Sequence, residues 1–261
     1  MIKVIEHVIA VPSGELYAKH WQLNDSQLAP IILLHDSLGS VAQWRDFPIS
    51  LSQATGRSVI AYDRLGFGQS SVRTEPASFT FIEDEANIFL PAVVAAFALE
   101  HYVLFGHSVG GGMAITAAAR HAQQCLAVIS ESAQAFVEER TLEGIRAAEE
   151  AFANPQQFAR LQRWHGERAQ WVLDAWAKVW LHPSYGDWCL DAELQQVHCP
   201  VLAIHGDGDE FGSNAFPERI VEKAQGPTQL ALLRGFGHVP HREDEAVIIN
   251  IVSQFLAKFL L

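Results

Sequence analysis

The residues best suited to chemistry gather around Ser108, in the run YVLFGHSVGGG from Tyr102 to Gly112. An apolar stretch gives way to Gly106-x-Ser108-x-Gly110 and then to an Ala-rich helical pattern ending at Arg120. At a strand-to-helix turn a nucleophile takes up a strained backbone that lifts its hydroxyl clear, and glycines two residues before and after relieve the crowding. A serine hydroxyl is still a weak nucleophile at neutral pH, so it needs an imidazole base, itself oriented by a carboxylate. Two downstream segments offer these groups: HGDGDEFG carries Asp207 and Asp209, and RGFGHVPHRED carries His238 and His241. Both follow apolar runs that read as strands, and an open α/β sheet gathers its ligands at strand ends. Other uses of the glycines fall away. No Lys-Ser or Lys-Thr follows them as a phosphate loop requires, and Gly66 to Ser71 (GFGQSS) lacks the third glycine of a dinucleotide fingerprint and leads into no helix. No cofactor is expected.

In the order Ser, acid, His, the motifs GHSVGG, HGDGD and GHVPH resemble the α/β-hydrolase superfamily over essentially the whole chain. The resemblance implies a catalytic triad of Ser108, Asp209 and His238, with Asp209 as the last Asp of the HGxxD pattern and His238 as the His after Gly237. Asp207 and His241 are then neighbours without a direct chemical role. Glu131, beyond the run Leu126 to Ile129, is where some members of the superfamily carry the acid. The oxyanion formed on attack needs preorganised amides. One is expected at Val109, and the resemblance implies Ser37 of HDSLGS as the other. Asp36 stands there where the family has Gly; Asp tolerates a left-handed backbone better than most residues, so the loop is expected to turn all the same. Asp63 to Ser70 (DRLGFGQS) resembles the family's loop after its fourth strand, with an architectural role for Asp63.

The elements that must position these groups read as a mostly parallel sheet flanked by helices. The runs Ile31 to Leu34, Val59 to Tyr62, Val103 to Phe105, Leu126 to Ile129, Val201 to Ile204 and Gln229 to Leu233 are short and apolar, as buried parallel strands are. Thr80 and Glu83 form a capping-box pattern ahead of Ile82, Ala86, Leu90, Val93 and Phe97, which predicts one helix near 80–98 with a kink at Pro91. Val247, Ile251, Phe255 and Phe259 predict a C-terminal helix. Residues 133–198 contain no plausible strand and hold five of the seven tryptophans, so they read as a helical cap inserted into a core domain of 1–132 and 199–261. Within the insertion, Asn154-Pro155 predicts a helix start, Gly166 an interruption and Pro183 a stop.

Composition bounds the remaining choices. Of 261 residues 49% are hydrophobic and 18% charged, enough apolar surface for a sizeable core and too little charge for a disordered chain. A net charge of -12 repels nucleic acid and anionic membrane surfaces. The segment Met1 to Pro12 carries Lys3, Glu6 and His7 and does not resemble a signal peptide; Ile88 to Leu99 is too short to span a bilayer. A cytoplasmic monomer or homodimer is the expectation. Cys125, Cys189 and Cys199 show no CxxC pairing, which predicts reduced interior thiols and no structural zinc. The expected activity is a carboxylesterase-like hydrolysis of a small to medium apolar ester through an acyl-enzyme. Lactone, thioester and carbon-carbon bond hydrolysis use the same groups. A hydroxynitrile-lyase-like lyase and a slow-turnover ligand receptor are the readings of other classes.

Overall fold

A computed structural model of the chain describes residues 1–260. Its frame is an eight-stranded sheet in the order β1-β2-β4-β3-β5-β6-β7-β8. The strands are β1 (Ile2–Val11), β2 (Gly14–Leu23), β3 (Ile31–Leu34), β4 (Val59–Tyr62), β5 (Tyr102–His107), β6 (Cys125–Glu131), β7 (Val201–Gly206) and β8 (Thr228–Leu233). From β4 to β8 all neighbours run parallel; β1 and β2 form an antiparallel hairpin that pairs with β4. The six strands legible as apolar runs are present within two residues of their predicted ends. The hairpin was not foreseen, because β1 leaves Val4 and Val8 exposed and buries only Ile9, so no alternation marks a core face.

Helices cover both faces: α1 (Phe47–Thr55), α2 (Phe81–Asp84), α3 (Leu90–Ala96), α4 (Val109–Arg120), α5 (Glu139–Phe152), α6 (Pro155–His165), α7 (Ala169–Trp180), α8 (Asp191–Leu194), α9 (Ala215–Lys223), α10 (Pro240–Glu243) and α11 (Glu245–Leu260). Alternate residues of each buried strand feed opposite cores, as the two-residue period dictates. Ile32, Leu34 and Leu104 pack under α3, α4 and α9, whereas Ile31, Leu33 and Phe105 pack under α1 and α11. On α11 the most deeply buried stripe is Ile248, Val252, Phe255 and Leu256, rotated from the predicted face.

The helix predicted over 80–98 is present as one continuous run from Phe81 to Ala96, in which a wide turn at Glu85–Phe89 joins α2 to α3. Pro91 offers no amide and its ring crowds the carbonyl four residues back, and the extra residue in that turn absorbs the misfit. The capping box does not form: the Thr80 hydroxyl meets Ser78 and Asp84 instead of a helix amide. Between β6 and β7 the chain makes α5 to α8, with Asn154 accepting from the Gln156 amide at 2.8 Å and Gly166 (φ 60°) ending α6. No helix among the described residues is long and apolar enough to cross a membrane. All three cysteines are free; Cys125 is buried and Cys199 half-buried, but Cys189 is exposed, contrary to the expected interior thiol, because it follows a surface turn.

Candidate active site

Ser108 lies between the end of β5 and the start of α4 with φ 54° and ψ -125°, a backbone conformation that L-residues avoid. The chain must double back so tightly that a Cβ at Gly106 would strike the Gly110 carbonyl, and one at Gly110 would strike the Leu34 carbonyl on the neighbouring strand. The Ser108 amide donates to the Glu131 carbonyl at 2.8 Å, which ties the turn to the end of β6.

Asp209 follows β7 and is fully buried. It accepts from the Phe211 amide at 2.7 Å and from Nδ1–H of His238 at 2.9 and 2.8 Å, which leaves His238 Nε2 unprotonated in the neutral ring. His238 and Ser108 line one cavity, whose other walls include Ser37, Gln134, Trp176 and Phe211. Burial disfavours an imidazolium at His238, but the hydrogen bond and charge of Asp209, with Asp36 and Glu210 nearby, outweigh it and raise its pKa above the ordinary histidine value. For Asp209 burial again opposes the charge, and His238 and the Phe211 amide reverse it, so its pKa is lowered.

Ser37 lies on the loop after β3, and among the described residues neither its amide nor that of Val109 donates to another backbone group. Asp36 is not among the positive-φ residues, so the left-handed turn expected of it is absent. The loop turns with other help: the Asp36 carbonyl accepts from Arg64 at 2.8 Å and from His35 Nδ1 at 2.8 Å. Asp63 is buried beneath this loop, accepting from the Val41 amide at 2.6 Å and the Gln69 amide at 2.7 Å; burial raises its pKa to about 6. Asp207 accepts from the Gly235 amide at 2.7 Å and shapes the turn ahead of His238.

Two polar groups, Gln134 and His107, escaped the motif reading. Gln134 presents Nε2 to Ser108 Oγ at 3.5 Å. His107, the residue before Ser108, donates from Nε2 to the His238 carbonyl at 2.8 Å; burial above all lowers its pKa to about 4, so it stays neutral. Glu131 accepts from the His241 amide at 2.9 Å and from His241 Nδ1 at 2.5 Å, a second, fully buried acid-histidine pair directly behind the Ser108 turn. His107, Glu131 and His241 lie close enough to share an ion, but both Glu131 oxygens and the outward nitrogen of His107 are already committed to hydrogen bonds, so the set suits a structural network better than a metal.

Residues 29–244 match the family described as alpha/beta hydrolase fold. The chain belongs to that family. Over 254 residues it is 29% identical to a 2-hydroxymuconate semialdehyde hydrolase of Pseudomonas sp., covering 88% of this α/β hydrolase and 87% of that protein. It is 37% identical to a proline iminopeptidase of Levilactobacillus brevis over 90 residues only, 34% of this chain and 29% of that one. Among solved structures, the enol-lactonase of Burkholderia xenovorans superposes with a TM-score of 0.74 at 19% identity, covering 96% of this chain and 100% of that one, a likeness of fold.

Proposed function

We propose that this α/β hydrolase cleaves a small to medium, largely apolar carboxylic ester through an acyl-enzyme on Ser108. The observation that carries the reading is the Asp209–His238 hydrogen bond beside a cavity shared with a serine held in a strained turn. His238 Nε2 takes the Ser108 proton as Oγ attacks the ester carbonyl, and the amides of Ser37 and Val109 receive the oxyanion. As the tetrahedral adduct collapses, His238 returns the proton to the departing alcohol. Water then attacks the acyl-enzyme, His238 takes a proton from it, and the carboxylic acid leaves as Ser108 regains its hydrogen. Asp209 holds the ring with Nδ1–H inward throughout.

In this reading residues 133–198 form the cap over the core domain. Ile145 on α5 and Trp176 and Trp180 on α7 give the Ser108 cavity an apolar roof, which favours an apolar acyl or alcohol arm. Carbon-carbon bond hydrolysis is the second reading, and the 88% coverage of the 2-hydroxymuconate semialdehyde hydrolase match favours it. Treatment with a fluorophosphonate, mass analysis of the labelled peptide and a panel of short-chain esters and vinylogous diketones test both. Labelling of Ser108 with ester turnover is the expected result. Turnover of the diketones alone selects the second reading, and an unlabelled Ser108 with no turnover defeats both.

A further inference from the structure

A second chamber adjoins the Ser108 cavity, sharing Ser37, Trp176 and Trp180 as common wall. The rest of its lining is partly apolar, with Leu65, Phe81 and Phe89, but Arg64, Arg73, Asp84 and Glu85 also face it. Arg64 is only 5% exposed. One of its terminal nitrogens donates to the Asp36 carbonyl at 2.8 Å and its guanidinium lies 4.1 Å from the centre of the Phe67 ring, but its Nε has no partner. Among the described residues no carboxylate forms an ion pair with Arg64 or with Arg73. A buried cation with an idle donor is costly unless an anion completes it.

We propose that this adjoining chamber is an anion subsite, in which Arg64 and Arg73 hold a carboxylate at the far end of the substrate's acyl arm. The proposal rests on the hydrolase reading of Ser108 and narrows its substrate to esters such as the half-esters of aliphatic dicarboxylic acids. The acyl arm would pass Trp176 and Trp180, and its free acid would meet the two guanidinium groups.

The other charges in the chamber set what kind of anion fits. Glu85 reaches it from the wide turn between α2 and α3 and accepts from the Tyr62 hydroxyl at 2.5 Å. Burial raises its pKa to about 7, so it only partly cancels Arg64 near neutral pH. Asp84 adds a further negative charge on the wall. A monoanion balances two arginines against that background, whereas a phosphate dianion would overfill it. Planar guanidinium groups also match a carboxylate geometrically. The chain as a whole carries a net charge of -12, so the attraction is local to this chamber.

The test uses matched pairs. In turnover, monomethyl adipate is set against dimethyl adipate; in binding, hexanoate is set against hexanamide, followed by the fluorescence of the tryptophans at the chamber wall. Wild type is expected to prefer the acid in both comparisons, and Arg64→Gln and Arg73→Gln are each expected to reduce both preferences by about tenfold. Ratios taken within one variant cancel any general loss of catalysis from the Arg64–Asp36 tether, and Arg73, only half-buried, guards against a misfolded Arg64 variant. Equal binding of hexanoate and hexanamide by wild type, or preferences untouched in both variants, overturns the subsite. Acid-selective binding without any ester turnover would instead sink the hydrolase reading and leave the subsite standing. Ser108-dependent turnover without acid preference would do the reverse.

Discussion

At the scale of single residues, the proposed chemistry depends on which nitrogen of His238 carries the proton. Asp209 accepts from Nδ1–H, so Asp209→Asn, which can present its amide there, favours the wrong tautomer and is expected to lower kcat by about 10⁴-fold, with the melting temperature reported alongside to separate catalysis from folding. The pH profile carries a second expectation. Only neutral His238 can take the Ser108 proton, so kcat/KM rises with pH through the His238 pKa, and because that pKa is raised the acid limb should lie above the ordinary histidine value of about 6.5. Asp36 is one of the charges that stabilise the imidazolium. Asp36→Gly removes it, lowers the pKa and should move the acid limb to lower pH; a limb that stays in place, or moves up, contradicts this account of the field at His238. Motifs could name positions 108, 209 and 238 because strained turns and strand-end loops demand particular residue types. Gln134 and His107 carry no such signature: each becomes a site neighbour only through the register of β5 on β6, in which His107 lies opposite Glu131.

At the scale of elements, the Ser108 turn and the His238 loop are joined from behind. Glu131 at the end of β6 takes two hydrogen bonds from His241 at the start of α10, with both side chains excluded from solvent. Burial opposes the Glu131 charge, but His241 and His107 overcome it and its pKa is lowered, so the carboxylate is held charged. His241→Ala strips that charge of its side-chain partner and is expected to cost about 3–5 kcal/mol, whereas Glu131→Leu with His241→Leu removes both polar groups and should cost less. Denaturant melts of the single and double variants check this, and a double variant less stable than His241→Ala contradicts it. The central parallel strands β3 to β7 were legible because both their faces are buried and their runs are apolar, whereas β8, half-exposed at the far edge, was marked only by its closing run Leu230 to Leu233. The hairpin β1–β2 was not: β1, at the sheet edge, has one buried side chain, and β2 buries Leu16, Tyr17, Ala18 and Trp21 without a clean alternation. The wide turn that joins α2 to α3 was foreseen only as a kink at Pro91; its form, which carries Glu85 inward, depends on what Tyr62 offers from β4.

At the scale of the whole molecule, the helices between β6 and β7 are fastened to the loop that bears Asp209. The Thr141 hydroxyl donates to the Phe211 carbonyl at 2.7 Å, and Glu138 accepts from the Ser213 amide at 2.7 Å and its hydroxyl at 2.8 Å. Phe211 in turn gives its amide to Asp209 and its ring to His238, with centroids 4.8 Å apart. The roof of the cavity and the orientation of the imidazole are therefore set by one interface. Gly144 on α5 lies in its middle, where a Cβ would come within 2.8 Å of the Glu210 carbonyl and 2.9 Å of the Phe211 ring. Gly144→Val should push α5 away from the loop and tilt Phe211, loosening the Asp209–His238 pair without touching any reacting atom. An error of about 1 Å in a reacting geometry costs up to roughly 100-fold, so kcat is expected to fall by at least about tenfold while the core sheet, remote from α5, keeps its circular dichroism. Wild-type kcat in a Gly144→Val variant would mean that the helices only cover the site and do not help to set it.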